Sequence, residues 1–308
     1  TASRLFKDLT GNEMSDHAMH EMGERLASAS DIIRVLPSRQ KVEEVISHYM
    51  RKTGWRPILV VSADGAHAPT RPESGRDEKR GPGEWREVKG FRIYLLVQDR
   101  IEQIMSWQEI ANEEEFGEAL SFAATLIPTE KVRIALVGDG AHWIWNHLKK
   151  AFPSGTEVLD YYHCSEHIHK LAEHQYPKDE DRQSLWIEST MARLHQGEVD
   201  AVIWGLQRMT PASKDAESEI GKLIVYLRNN KDRIDYASVK RRGYPRGSGG
   251  IESANKFICH VRLKRSGAWW YAINGNAMLR LRCSIYNGTF DTVFSHYKSM
   301  SRRSRENS

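Results

Sequence analysis

The sequence predicts an α/β protein built on one mixed β-sheet, with a helical segment before the sheet and a helical insertion within its second half. Three observations predict it. Short apolar runs at 58–63 and 132–138 each lead into the tetrapeptide Asp-Gly-Ala-His, at 64–67 and 139–142, and read as buried strands that stop at Gly-containing turns. Around them, strand-like and helix-like patterns alternate. From 164 to 238 the apolar spacing is helical throughout, with no strand to interrupt it.

Taken in order, residues 1–54 form the N-terminal helical segment, with Phe6, Leu9, Met14, Ala18, Met22 and Leu26 mostly three or four apart and with Gly11 and Ser15 dividing two short helices. Such a segment suits either a DNA-reading helix-turn-helix remnant or a helical hairpin packed on the next domain. After Trp55-Arg56-Pro57 comes the first strand, 58–63. The stretch 69–84, rich in Pro, Gly and charge, is expected to be a mobile loop. Strands follow at 85–98 and 100–107 around a turn at Asp99. A helix from 112 to 127 opens with Glu113, Glu114 and Glu115, where the macrodipole favours acids. A fourth strand ends at Asp139, a helix covers 143–151, and 157–162 reads as a fifth strand. Three strands, helix, strand, helix, strand is the order of a ribonuclease H-like sheet, in which the first and fourth strands are neighbours. Those two end in Asp64 and Asp139. Residues 164–238 are a helical insertion or subdomain, whose Trp186 and Trp204 are expected to be core residues. The last patterned unit is 247–286, and 291–308 is a basic tail, frayed from 299.

Composition narrows the class. A chain of 308 residues, 40% hydrophobic, can bury a sizeable core. No apolar stretch approaches the roughly 18 residues of a membrane span, and no signal peptide is seen, so a soluble cytoplasmic protein without a membrane partner is expected. Cys164, Cys259 and Cys283 are too few for a disulfide framework or a four-cysteine zinc site. The formal charge of +4 allows nucleic acid as a partner without requiring it. The chain begins with Thr1 rather than Met, which suggests a fragment or a processed form.

Charge is concentrated near the end. Between 240 and 265 lie eight basic residues, Lys240, Arg241, Arg242, Arg246, Lys256, Arg262, Lys264 and Arg265, and a single acid, Glu252. Ser248 is placed to cap a helix whose apolar stripe is Ile251, Ala254, Ile258 and Val261, with Glu252 on the other side beside Asn255, Lys256 and Cys259. Glu252 has two readings, an i,i+4 pair with Lys256 or a third metal ligand. Either of Asp64 and Asp139 alone would pass for a turn residue. With Glu252 they become a set of three carboxylates, able to hold two divalent cations about 4 Å apart for phosphodiester chemistry. Hard oxygen ligands select Mg²⁺ or Mn²⁺. The eight cations would then neutralise phosphates, and Trp269, Trp270 or Tyr271 could stack on a base, the alternative being a solvated basic face beside an aromatic core edge.

The stretch 159–167 has two parses. His163-x-x-Glu166-His167 matches an inverted zinc-protease pattern on a helix. Asp160-x-x-His163 instead puts an acid and a histidine at a strand exit, and the apolar run before it favours this second parse. His169 and His174 follow no ligand spacing.

These residues resemble the DDE transposases of bacterial insertion sequences, within them the Mutator-like group with a C/D-x-x-H signature, and most closely the ISKra type. The resemblance is carried by 61–66 (Val-Ser-Ala-Asp-Gly-Ala), 85–89 (Trp-Arg-Glu-Val-Lys), 137–141 (Val-Gly-Asp-Gly-Ala), 159–163 (Leu-Asp-Tyr-Tyr-His) and, most specifically, 244–254, with its Gly-Ser-Gly-Gly-Ile-Glu-Ser block; 262–267 and 276–282 continue it. It covers about 55–290, and residues 7–26 also look like the helical segment preceding that family's core. It implies a ribonuclease H-like core in which Asp64, Asp139 and Glu252 are the catalytic acids holding two Mg²⁺ or Mn²⁺ ions, and in which Asp160 and His163 are the C/D-x-x-H pair that organises the site or the DNA. It further implies cutting of transposon ends, joining of the 3′-hydroxyl to target DNA, terminal inverted repeats and target DNA as partners, a homo-oligomer on DNA and a place with the nucleoid. Two departures stand out: the upstream DNA-binding region of a complete transposase is absent or truncated, and Ala66-His67 and Gly250 have no assigned counterpart. A nuclease or resolvase of the same fold, and a non-catalytic DNA-binding protein derived from a transposase, are the alternatives.

Overall fold

The computed structural model describes residues 2–72, 83–97 and 100–306. Four helices open it: α1 (Ala2–Thr10), α2 (Asp16–Ser28), α3 (Ile32–Val35) and α4 (Arg39–Thr53). The break between α1 and α2 falls at Gly11 and Ser15, whose hydroxyl accepts the Ala18 N–H at 3.1 Å and caps α2. Three antiparallel strands follow, β1 (Ile58–Thr70), β2 (Glu84–Val97) and β3 (Arg100–Ile110), then α5 (Glu113–Thr125), β4 (Arg133–Gly138), α6 (His142–Ala151) and β5 (Thr156–Leu159). A capping box between Asn112 and Glu115 starts α5, the first-turn acids lying as expected.

The five strands lie in the order β3-β2-β1-β4-β5, with β4 parallel to β1 and β5 parallel to β4. This is the ribonuclease H-like order, with strands one and four side by side. Side-chain alternation divides the sheet between two layers. Leu59, Val61, Phe91, Ile93 and Leu136 face a core that takes in α4, α5 and α6 through Ile46, Phe116 and Leu148. The same core continues into the insertion, α7 (Tyr161–Gln175), α8 (Glu180–His195), α9 (Val199–Gln207) and α10 (Lys214–Asn229), through Ile168, Leu194, Leu206 and Leu227. The opposite face is covered by α11 (Tyr236–Arg241), α12 (Gly249–Asn255), α13 (Val261–Leu263) and α14 (Ala272–Tyr286). A last helix, α15 (Phe290–Glu306), packs beside α2 and α14 through Val293, Ala27 and Leu281.

Several expectations need correction. β1 does not end at Asp64: its pairing with β4 stops at Ser62, but its pairing with β2 continues to Thr70 opposite Glu84, so residues expected in the loop are strand. The rest of that loop, 73–82, and the turn at Asp99 lie outside the described residues. β5 is shorter than 157–162, because Asp160 caps α7 and turns the chain into helix at Tyr161. Residues 299–306 are helical rather than frayed. Trp186 packs against the core, but Trp204 is 57% exposed, with the Arg208 guanidinium 3.7 Å above its ring.

Candidate active site

Parallel pairing of β1 and β4 ends with Ser62 opposite Val137, and Asp64 and Asp139 each stand two residues further on. Residues matched across parallel strands face the same side, so both acids project from one face at the carboxyl ends of adjacent strands, where α/β sheets place their sites. After Asp139 the chain turns sharply: its Oδ1 accepts the Ala141 N–H at 2.9 Å, Gly140 takes φ +108°, and α6 begins at His142. The Tyr226 hydroxyl, reaching in from α10, donates to the Asp139 carbonyl at 3.2 Å.

Glu252 reaches the same face on α12, and the sequence explains how that short helix is held. Ile251, Ala254 and Ile258 are wholly buried against Ala66, Ala68 and Val88. Three polar anchors then set its position. Asp160, fully buried, accepts the Tyr162 and His163 N–H groups at 2.6 and 3.2 Å on Oδ1 and the Ser248 N–H at 2.6 Å on Oδ2, so one carboxylate joins the start of α7 to the start of α12. The buried Arg92 donates from Nη1 to the Gly250 carbonyl at 2.6 Å. Asn255 donates from Nδ2 to Asp64 Oδ2 at 2.7 Å. Ser248 does not cap α12 with its side chain; its hydroxyl donates to Glu252 Oε1 at 2.9 Å. Serine, and not Lys256, is thus the partner of Glu252.

Burial pushes the Asp64 carboxyl up to about 6, the charge of Asp139 adds to this, and that of Glu252 adds a smaller share; the Gly65 N–H and His163 act in the opposite direction. Asp64 therefore lies within electrostatic reach of both other acids and of His163. His163 is on the first turn of α7, not at a strand exit, with Nδ1 3.3 Å from Glu166 Oε2. The zinc parse gains nothing from this helical setting: His167 lies against the Tyr226 ring, tilted, with centroids 4.2 Å apart. Among the described residues no three His, Cys, Asp or Glu side chains are gathered closely enough to hold a metal ion. The donor set of Asp64, Asp139 and Glu252 fits Mg²⁺ or Mn²⁺ in its chemistry, all oxygen and mutually repulsive, but the three carboxylates are tied to Gly65 and Asn255, to Ala141 and to Ser248 rather than closed into a cage.

Residues 57–295 match an uncharacterised protein family, UPF0236. The chain belongs to that family. No curated protein matches the UPF0236 chain in sequence. Among solved structures it is similar to the Drosophila P element transposase strand transfer complex, at 10% identity over 97% of this chain and 84% of that one, with a TM-score of 0.24. The ribonuclease H-like fold rests on strand order and pairing, not on that likeness.

In this UPF0236 chain all eight basic residues of 240–265 are exposed, but they do not form one patch. Arg242 lies at the amino ends of the parallel strands, its carbonyl accepting from Arg133 at 3.2 Å, while Gly243 abuts Ile58. Lys240, Arg241 and Arg242 are thus separated from Asp64 by the length of β1 between Ile58 and Asp64, about 20 Å. Arg246 sits by the site, its carbonyl accepting the Tyr161 N–H at 2.8 Å. Lys256, Arg262, Lys264 and Arg265 extend beyond α12. Trp269 and Tyr271 are each 39% exposed, whereas Trp270 packs against the core and its backbone bridges to Thr70. Two expected outward residues of α12 and the turn after it, Asn255 and Cys259, are buried. Sequence reading missed Asn255 and Arg92 as parts of the site. For Asn255 a signal existed, since it is four residues from Ile251 and so flanks the buried stripe; Arg92 sits in a strand that pattern alone marks only as apolar.

Proposed function

We propose that this chain is the catalytic core of a metal-dependent DNA transposase of an insertion sequence, which cuts transposon ends and joins the freed 3′-hydroxyl to target DNA. The observation that supports it best is geometric: Asp64 and Asp139 stand at the carboxyl ends of the adjacent parallel strands β1 and β4, and α12, tied to Asp64 through Asn255, brings Glu252 to the same face, where burial and the charges of the other two acids raise Asp64 to about 6. The resemblance of the sequence blocks around each acid to the DDE transposases supports it independently. Two Mg²⁺ or Mn²⁺ ions bound there would activate the attacking oxygen and stabilise the leaving oxygen. The chain's own part is to hold the acids at one edge, with Asp160 and Arg92 fixing the helix that carries Glu252, and to draw phosphates in with the exposed cations. Water displaces one strand's phosphate from a 3′-oxygen at each end; that 3′-hydroxyl then attacks a target phosphodiester, whose own 3′-oxygen leaves. Terminal inverted repeats, target DNA and a homo-oligomer bridging two ends are the partners this reading needs, in the cytoplasm at the nucleoid. No described helix is long and apolar enough to cross a membrane.

The test uses labelled DNA carrying the element's ends, with Mg²⁺ or Mn²⁺. Asp64→Asn, Asp139→Asn and Glu252→Gln are each expected to lower cleavage and strand transfer at least about a hundredfold while leaving DNA binding within about threefold. Cleavage without strand transfer from a pre-cut end would assign a nuclease or resolvase. DNA binding with neither reaction would assign a non-catalytic binding protein.

A further inference from the structure

We infer that Gln108 and Asn255 form a buried amide relay that sets the orientation of the Asp64 carboxylate, making Asn255 a positioning residue of the site. The inference rests on the reading of Asp64 as a metal-binding acid, and deepens it. Asp64, Gly90 and Gln108 stand opposite one another on β1, β2 and β3 and so form one row across one face of the sheet. The middle position has no side chain, and a Cβ at Gly90 would lie 2.7 Å from Gln108 Cγ. That gap leaves room for the side chain coming down from α12. Asn255, 4% exposed, bridges the row: Gln108 Nε2 donates to Asn255 Oδ1 at 2.6 Å, and Asn255 Nδ2 donates to Asp64 Oδ2 at 2.7 Å.

The direction of the relay follows from its ends. Turning Asn255 over would set its carbonyl oxygen against the Asp64 carboxylate, so Gln108, by donating to that oxygen, keeps the N–H₂ toward Asp64. Among the described residues Gln108 Oε1 has no hydrogen-bond partner, a desolvation cost that comes with this orientation of the amide. Because Asn255 is three residues from Glu252 on α12, the contact also ties the positions of two of the three acids together. Groups that hydrogen-bond a metal ligand in this way fix its orientation, and removing them usually weakens metal binding about 10–100-fold.

Two measurements test the relay in the whole chain beside thermal melting, the first on Asp64→Ala and Gln108→Met and the second on Asn255→Ala and Gln108→Met. The first, without metal, follows the Asn255 side-chain amide proton by NMR. It is expected to lie downfield in the native chain and to move upfield in Asp64→Ala and in Gln108→Met. The second is Mn²⁺ binding read by electron paramagnetic resonance, expected to weaken about 10–100-fold in Asn255→Ala and by a smaller factor in Gln108→Met. An Asn255 amide resonance unmoved by Asp64→Ala overturns the relay, as does unchanged Mn²⁺ affinity in a folded Asn255→Ala chain. If the native chain binds no Mn²⁺ while the amide shifts appear as expected, the relay stands as geometry and the metal reading of Asp64 falls.

Discussion

Asp64 and Asp139 begin the same tetrapeptide and lie in different structures. At 139–142 it is the expected turn, with Gly140 in the left-handed region. At 64–67 it is extended strand, because β2 continues to pair with it after β4 has stopped. Asp-Gly marks a turn only where no neighbouring strand competes for its backbone groups. What the two acids share is the distance past the last parallel pair, and that is what brings them together. Asp64 also gives a stability prediction. Burial pushes its folded carboxyl up to about 6 from 3.8, so between about pH 4 and pH 6 the folded state binds the extra proton and stability falls as pH rises. Asp64→Asn removes the charge but also sets an N–H₂ against the Gly65 or Asn255 donor, so the readout is the pH dependence: its stability relative to the native chain is expected to rise between about pH 4 and pH 7.5, by up to about 3 kcal/mol. Urea unfolding at the two pH values measures it; a difference that does not change with pH would show that the Asp64 carboxyl is not raised.

Among the elements, the unit beginning at α12 shows how far periodicity reaches. The stripe Ile251, Ala254, Ile258 is buried as the spacing predicts, but Val261, its next member, is 48% exposed. The reason is a π-helical turn, Lys256–His260, which widens the helix locally and rotates everything after it, turning Leu263 inward in place of Val261. No local preference for such a turn is visible in the sequence, so continuing the regular spacing is the natural reading. Leu263→Ala is therefore expected to cost about 2–4 kcal/mol, and Val261→Ala no more than about 0.5 kcal/mol, both by denaturant unfolding. The reverse order would mean that α12 continues as a regular helix. The stretch Asp160 to His163 is similar: its residues stand out in the sequence, but that Asp160 joins α7 to α12 through Ser248 depends on a hydrogen bond between residues 88 apart in the chain.

Across the chain as a whole, α2 and α3 pack with the C-terminal helices α14 and α15. Asn274 donates to Glu24 at 3.1 Å, and Asn287 and Thr289 both donate to the Val35 carbonyl, at 2.9 and 2.7 Å, so the chain closes on itself beside the face that carries Glu252. The basic segment is divided too. Lys240, Arg241 and Arg242 stand at one edge of the sheet, and Arg262, Lys264 and Arg265 follow the π turn. If DNA passes over the acids, replacing the second trio with Ala is expected to flatten the salt dependence of binding by about one unit of slope for each phosphate no longer neutralised, and replacing the first trio by less than about one in all. Equal changes of slope in a titration over salt concentration would mean that the DNA also crosses the amino edge of the sheet.

Local pattern in the amino-acid sequence was enough to specify the order and type of the main elements, the long run of helices after the fifth strand and three acids worth relating, while the neighbouring of the first and fourth strands came from matching that order to a ribonuclease H-like sheet. Apolar spacing and turn chemistry act over a few residues, and such signals are carried by the chain wherever it goes. It took the folded arrangement to show that Asp64 lies inside a strand, that Glu252 is held by Ser248, that Asn255 and Gln108 reach Asp64, and that the cations divide between two edges. Each of these depends on groups brought together from distant parts of the chain, and a meeting of distant residues leaves no period for a single sequence to show.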